Sequence, residues 1–186
     1  VGAAESESFD RERFRALAGH PEVAGFFEAA RLRIADVVRA RRPICLSSGA
    51  CCRFEEYGHR MYVSLLEAAF VVGRIDAARA RRAANPLRVL DVVAARGRGD
   101  CPYLVTRAGD QITTAFCGEH EERPLGCRIF FCDKGADERS SEWQSDLYEA
   151  LHRETLALHE RLAVPYRYLD WREALRVVAT DSAQSI

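Results

Sequence analysis

The chain has almost no lysine and almost no methionine: one of each, Lys134 and Met61, in 186 residues. Set against 26 arginines and 28 alanines, that is the trade a GC-rich coding sequence makes, and the arginine excess is read as compositional background. Charge of one sign is lacking too. Lys+Arg is 27 and Asp+Glu is 28, a formal net charge of -1, which argues against a basic nucleic-acid surface. No apolar run approaches the roughly 18–20 residues of a membrane span. The densest, Leu65 to Gly73, carries Glu67 in its middle. The opening Val1-Gly2-Ala3-Ala4-Glu5 has neither the basic nor the apolar region of a signal peptide, so the expected location is cytoplasmic; it also begins without Met, as it would after loss of a start residue, tag or leader. Nucleic acid and membrane are therefore not expected partners. Also absent are G-x-S-x-G, a P-loop, G-x-G-x-x-G and H-E-x-x-H, so none of the common nucleophile, phosphate, dinucleotide or zinc-protease signatures applies.

What the chain does have is an ordinary globular composition, 48% hydrophobic and 30% charged, and a length that suits one domain over residues 1–186. It also has seven cysteines: Cys45, Cys51, Cys52, Cys101, Cys117, Cys127 and Cys132. All fall in the centre, and the first 44 and last 54 residues hold none. Three explanations compete. Disulfide frameworks suit small secreted domains, against which stand the size, the odd count and the missing export signal. Buried thiols are common core residues. Ligation of a metal or an iron–sulfur cluster is the third, and the adjacent Cys51-Cys52 favours it. No C-x2-C knuckle is present, the feature zinc ribbons and fingers show, whereas iron–sulfur sites take more scattered thiolates. Four thiolates around Zn²⁺ or an oxidised [4Fe–4S] core leave a net charge of about -2 that needs compensation when buried. Arg53 follows Cys52 and Arg128 follows Cys127, which makes them candidate donors to sulfur.

Periodicity organises the rest. A short amphipathic helix is expected over Phe9 to Ala18, broken at Gly19-His20-Pro21, with a second from Glu22 to Arg41 carrying Val23, Phe26, Phe27, Ala30, Ile34, Val37 and Val38 at helical spacing. Cys45 to Cys52 reads as an irregular loop. Ser64-Leu65-Leu66-Glu67 fits a capping box that opens a helix to about Ala83, and a further helix is expected from Leu87 to Ala95. Tyr103 to Arg107 and Gln111 to Phe116 flank Ala108-Gly109-Asp110 as a hairpin, with Cys101 entering and Cys117 leaving. A long helix spans Asp137 to Leu162, Pro165 stops it, and Asp170 caps a last helix to about Ala179. The fold class is mainly α, a helical shell around an irregular cysteine-rich loop and β-hairpin segment (45–132), with helical N-terminal (9–41) and C-terminal (137–179) extensions.

The blocks Cys51-Cys52, Ser64-Leu65-Leu66-Glu67-Ala68, Cys101-Pro102-Tyr103-Leu104, Cys117, and Arg123-Pro124-Leu125-Gly126-Cys127-Arg128-Ile129-Phe130-Phe131-Cys132 together resemble the YkgJ family of cysteine-cluster proteins, described as carrying a zinc- or iron-chelating domain. The resemblance runs from Cys45 to Cys132. It implies that Cys51, Cys52, Cys101, Cys117, Cys127 and Cys132 form the ligand pool, with Cys45 a less secure member, and that Arg123-Pro124 shapes the turn presenting Cys127. Two departures stand out. The family's second cysteine falls on Ser48, which cannot replace a thiolate at full strength. His120 stands where the family often has Tyr.

Weaker constellations are Glu56-x2-His59 and Glu149-x2-His152, the pairs a di-iron bundle would use, and Cys117 with His120 as a nucleophile pair that lacks an orienting third group. The leading expectation is a metal-binding protein holding an iron–sulfur cluster, [4Fe-4S] ahead of zinc, in a structural or electron-transfer role with a protein redox or enzyme partner. The alternatives are an oxidoreductase or protein-modifying enzyme that uses the centre, and a metal-free interaction module with core or disulfide cysteines.

Overall fold

A computed structural model describes residues 3–46, 48–83, 93–94, 100–108, 113–131 and 142–179. The architecture is mainly α. Helices α1 (Ala3–Ala18), α2 (Pro21–Arg41), α4 (Leu65–Ala83), α6 (Glu142–Arg161) and α7 (Trp171–Val178) form the shell, and the short α3 (Phe54–Tyr57) and α5 (Leu125–Ile129) lie in the cysteine segment. Pro21 opens α2, where its missing N–H is no loss, and Arg42 closes it in the left-handed region with its N–H on the Val38 carbonyl. α1 begins earlier than the sequence suggested. It lies against α4 and α7, and Arg15 reaches both, donating to the Val178 carbonyl at 3.2 Å and to Asp76 at 2.7 Å. A guanidinium on the last carbonyls of α7 satisfies acceptors the helix itself leaves open.

α4 is the central element. Leu65, Leu66, Ala68, Ala69, Val71, Val72 and Ile75 are buried along it, and it packs on α1, α2 and α7. That near-continuous burial explains why its apolar run resembles a buried segment more than an amphipathic stripe. Ser64 caps it, its Oγ accepting the Glu67 N–H at 3.1 Å. The capping box closes on one side only: the Glu67 carboxylate turns away and accepts the Leu125 N–H at 2.8 Å, 58 residues on.

Two small sheets complete the fold. β1 (Tyr62–Ser64) pairs antiparallel with β5 (Tyr168–Asp170), joining the entrances of α4 and α7, a pairing the sequence did not reveal. The expected hairpin is present as β3 (Leu104–Ala108) and β4 (Thr113–Cys117), in register Leu104↔Cys117. Its turn lies outside the described residues. A third strand, β2 (Val93–Ala94), pairs with Val105 and Thr106 of β3. This corrects the end of the helix expected over Leu87 to Ala95, the rest of which falls outside the described residues. The β-branched Val93 suits a strand on the open edge of β3, and sheet pairing outweighs a weak helical period. Residues 137–141 at the start of the expected last long helix are likewise not described. Asp170 caps α7 as expected, accepting from the Arg172 N–H at 3.0 Å.

Candidate metal centre

Three backbone devices bring distant cysteines together. The 3-10 turn Ala50–Cys52 is entered through Gly49 at φ 70°, where a Cβ would sit 2.9 Å from the Ala115 backbone, so only glycine lets this loop lie on β4. The Cys101 N–H donates to the Cys52 carbonyl at 2.8 Å, which locks the loop to the entrance of the hairpin. The hairpin register then carries Cys117 opposite Leu104, beside Cys101 in space.

The linker from Cys117 to Cys127 is held by ion pairs from α4. Arg79 and Arg82 both bind Glu119 at 2.8 Å; Arg74 binds Glu122 at 2.6 Å and also pairs with Glu28; Arg31 of α2 reaches Glu122 at 3.0 Å. Glu119 and Glu122 are buried. Part of the arginine excess that composition assigned to background is therefore structural, clamping the acidic turn that separates two cysteines. On the other flank the Glu67–Leu125 hydrogen bond fixes the start of α5, which carries Cys127.

The outcome is one cavity of ≈ 70 Å³ lined by Cys45, Cys51, Cys52, Cys101, Cys117 and Cys127. Its wall is completed by Ser48, Phe54, Tyr103, His120, Arg123 and Trp171, among others. Cys51, Cys52, Cys101, Cys117 and Cys127 are free thiols; Cys132 lies outside the described residues. Cys52 is buried at the centre, its sulfur in hydrogen-bonding contact with Cys51, Cys101 and Cys117. Those contacts, with burial, push the Cys52 thiol far up: it keeps its proton and shares it. The acceptors move the other way. Cys51 falls to about 6 because Cys52 donates to it and Arg123 and His59 lie near. Cys117 is lowered by the Cys52 contact, the Glu119 N–H and Arg123. Cys127 is raised by burial and by its neighbouring sulfurs, against the pull of Arg123. A thiol cluster organised around a shared proton is what a metal displaces on binding, since thiolates are the ligands. Among the described residues, no group of three or more His, Cys, Asp or Glu side chains is placed so that it could hold a metal ion.

Arg123, expected to shape the turn that presents Cys127, also faces the cavity. Its buried Nε has no hydrogen-bond partner among the described residues. An orphaned donor beside several sulfurs fits an anionic, sulfur-rich guest that would accept from it. The two arginines singled out by adjacency point elsewhere: Arg53 binds Glu56 and donates to the Ser48 carbonyl, and Arg128 donates to the Arg123 and Glu121 carbonyls. Ser48 lines the cavity where the resembling family has cysteine, its Oγ accepting from the Ala50 N–H at 3.3 Å. His59 sits with Nε2 3.3 Å from the Cys51 carbonyl, while Glu56 pairs with Arg53 and His152 lies in a separate tyrosine cluster, so the two Glu-x-x-His pairs do not converge. No helix among the described residues is long and apolar enough to cross a membrane. Compared with family models, with curated proteins and with solved structures, the chain finds no match in any of the three.

Proposed function

We propose that this protein is a YkgJ-type cysteine-cluster protein that binds an iron–sulfur centre through Cys51, Cys52, Cys101, Cys117 and Cys127, with Cys132 in the ligand pool and Cys45 at its margin. The observation that carries the proposal is the convergence of six cysteines, from four separate stretches of chain, on one cavity. The donor set supports it chemically: soft sulfur ligands select iron–sulfur clusters, zinc or Cu(I). Cavity size and the Arg123 donor support a cluster over zinc. A structural zinc site closes four ligands on one ion. A space of ≈ 70 Å³ exceeds severalfold the roughly 10–15 Å³ that a single water-sized group needs. An iron–sulfur centre would supply one-electron chemistry or structural cross-linking.

The chain's own contributions are separable. Cys51 and Cys117 supply sulfurs already biased toward thiolate, and Cys52 releases the shared proton on loading. Arg123 donates into the cavity and offsets negative charge, and the Glu119 and Glu122 clamps hold the Cys117–Cys127 linker. A reducing compartment such as the cytoplasm would keep these thiols available. A second reading, an enzyme that uses the centre, is favoured by one observation: Cys51 is exposed at the rim, so a guest held there is reachable by a substrate or a redox partner protein.

The deciding experiment is anaerobic purification followed by iron, sulfide and zinc analysis with a visible absorbance scan. Brown protein with iron and sulfide in equal proportion is expected. Colourless protein with stoichiometric zinc replaces the cluster with a zinc site, and metal-free protein overturns the proposal.

A further inference from the structure

Away from the thiols, a second buried polar site lies between α4, α6 and β5. Its cavity of ≈ 20 Å³ is lined by Ser64, Glu67, Thr155, His152 and the tyrosines Tyr148, Tyr166 and Tyr168. That volume admits one water-sized group. Glu67 is buried, and among the described residues it has no cationic partner: its one hydrogen bond comes from the Leu125 N–H. A buried carboxylate without a cation is costly.

Around the carboxylate, Leu125 and Leu151 alternate with hydroxyl oxygens that can accept. Thr155 spends its hydroxyl hydrogen on the Leu151 carbonyl at 2.8 Å. Tyr166 and His152 share one hydrogen bond at 2.7 Å, and the Tyr148 and Tyr168 hydroxyls share another. The aromatic rings are ordered: His152 stacks on Tyr168 at 5.2 Å, and Tyr166 and Tyr62 stack on Tyr168 at 5.9 and 5.6 Å. Tyr62, Tyr168 and Phe130, which packs on Tyr148, remain exposed, which makes an apolar rim.

We infer that this cavity is a binding site for a primary alkylammonium group, the –NH₃⁺ entering beside Glu67 and the alkyl chain lying across the Tyr62, Tyr168 and Phe130 rim. An ammonium carries three donors and no acceptor, which complements carboxylate, hydroxyl and phenol oxygens, and aromatic faces attract it further. Its head is water-sized, so trimethylated ammonium and guanidinium are too large. The site is independent of the thiol cavity and stands or falls without it.

The carboxyl of Glu67, held up at about 7 by burial, ionises when the cation enters, so binding tightens as pH rises through that value. The titratable groups facing it are Tyr148 and His152 from α6 and Tyr166 and Tyr168 from the segment at β5, while α5 presents a backbone N–H.

The test is titration of the full chain at about pH 8 with n-butylammonium, with tetramethylammonium as the size control, followed by tyrosine-ring NMR shifts. A lysine residue in a short blocked peptide forms a second arm that separates a free amine from a protein side chain. Saturable shifts at Tyr148, Tyr166 and Tyr168 with n-butylammonium and none with tetramethylammonium are expected. Tighter binding of the peptide identifies a protein side chain as the source, and tighter binding of the free amine identifies a small metabolite. Glu67→Gln should weaken binding at least about tenfold and remove its pH dependence, and Tyr168→Leu should weaken it about fivefold, the second variant serving if the first does not fold. No saturation by either amine, equal response to tetramethylammonium, or unchanged affinity in a folded Glu67→Gln protein overturns the inference.

Discussion

Two buried polar clusters share helix α5, and they handle charge in opposite ways. Cys127, in the middle of α5, lines the thiol cavity, where the Cys52 hydrogen bond, Arg123 and His59 hold Cys51 down while Cys52 and Cys127 are pushed up. Leu125, at its start, ties α5 to Glu67, which has no cationic partner among the described residues and whose carboxyl is pushed up by burial instead. Glu67 is buried, whereas the thiol cavity runs from buried Cys52 to exposed Cys51, and the neighbours differ as well. A cluster with positive charge beside it is prepared to become more negative, as loading thiolates with a centre requires, and one without it holds its proton until a cation arrives. The contrast can be broken first where its effect is largest. Cys52→Ser and Cys127→Ser should each lower metal affinity more than about a hundredfold, beyond what loss of an outer partner does, read by anaerobic competition with a chromophoric chelator. Cys132→Ser is expected from the sequence to behave likewise, and Cys45→Ser to lose less, as the less secure member of the ligand pool. Equal losses from Cys45 and Cys127 would remove the ranking.

The Glu67 side gives the next largest effect. Its folded carboxyl titrates at about 7 against an ordinary value of 4.5. Because the folded value is the higher one, the folded chain binds this proton more tightly than the unfolded chain. The resulting stability is complete below 4.5 and lost as pH climbs through 7. At one pKa unit per 1.36 kcal/mol the loss is about 3 kcal/mol. Gln keeps an acceptor for the Leu125 N–H and has nothing to ionise. Urea unfolding at acid and at mildly alkaline pH should show wild type losing about 3 kcal/mol more than Glu67→Gln between the two. Parallel pH profiles would show that Glu67 is not the group.

Much of this was legible in the sequence, for identifiable reasons. Helical periodicity located α2, α4 and α6 because each buries a stripe or a whole cylinder. Pro21, Ser64 and Asp170 marked helix starts because capping chemistry is local. The cysteine pool was legible as composition, since seven thiols confined to the centre of the chain need a common cause. Contacts made at a distance were not. Glu67 looked like a capping-box partner for its own helix, and the competing Leu125 N–H is invisible without the fold. Arg53 and Arg128 were singled out by adjacency in sequence, whereas Arg123, four residues before Cys127, lines the cavity; the Arg123-Pro124 pair in the resembling motif was the available signal. β1 and β5 escaped because three-residue strands carry no measurable period.

The loop that delivers Cys51 and Cys52 offers a smaller test of the thiol side. Gly49→Ala adds a Cβ 2.9 Å from the Ala115 backbone at a positive φ. The loop must lift off β4, at a cost of about 1–3 kcal/mol by analogy with overpacked cores. The same displacement should weaken metal binding with all seven cysteines intact. Thermal unfolding and chelator competition on one sample measure both, and a stable variant with unchanged affinity would show that the Gly49 approach does not set the position of the thiols.

The smallest expected effect isolates the charge that distinguishes the two clusters. Cys51 is exposed and titrates at about 6, with the Cys52 hydrogen bond the largest cause and Arg123 next among the influences that lower it. Thiolate is the form that reacts with iodoacetamide, so metal-free wild type should alkylate at Cys51 with a midpoint well below that of an ordinary thiol. Removing the guanidinium in Arg123→Gln leaves the Cys52 donor in place and takes away attraction for the thiolate. The midpoint should therefore rise, by about one unit, and alkylation near neutral pH should slow. Peptide mass spectrometry isolates the Cys51 peptide, and the alkylation rate of an added model thiol serves as the standard. A midpoint that stays put in Arg123→Gln would assign the lowered Cys51 to the Cys52 contact, the backbone and His59, without Arg123. The positive charge would then cease to be what separates the thiol cavity from the Glu67 site.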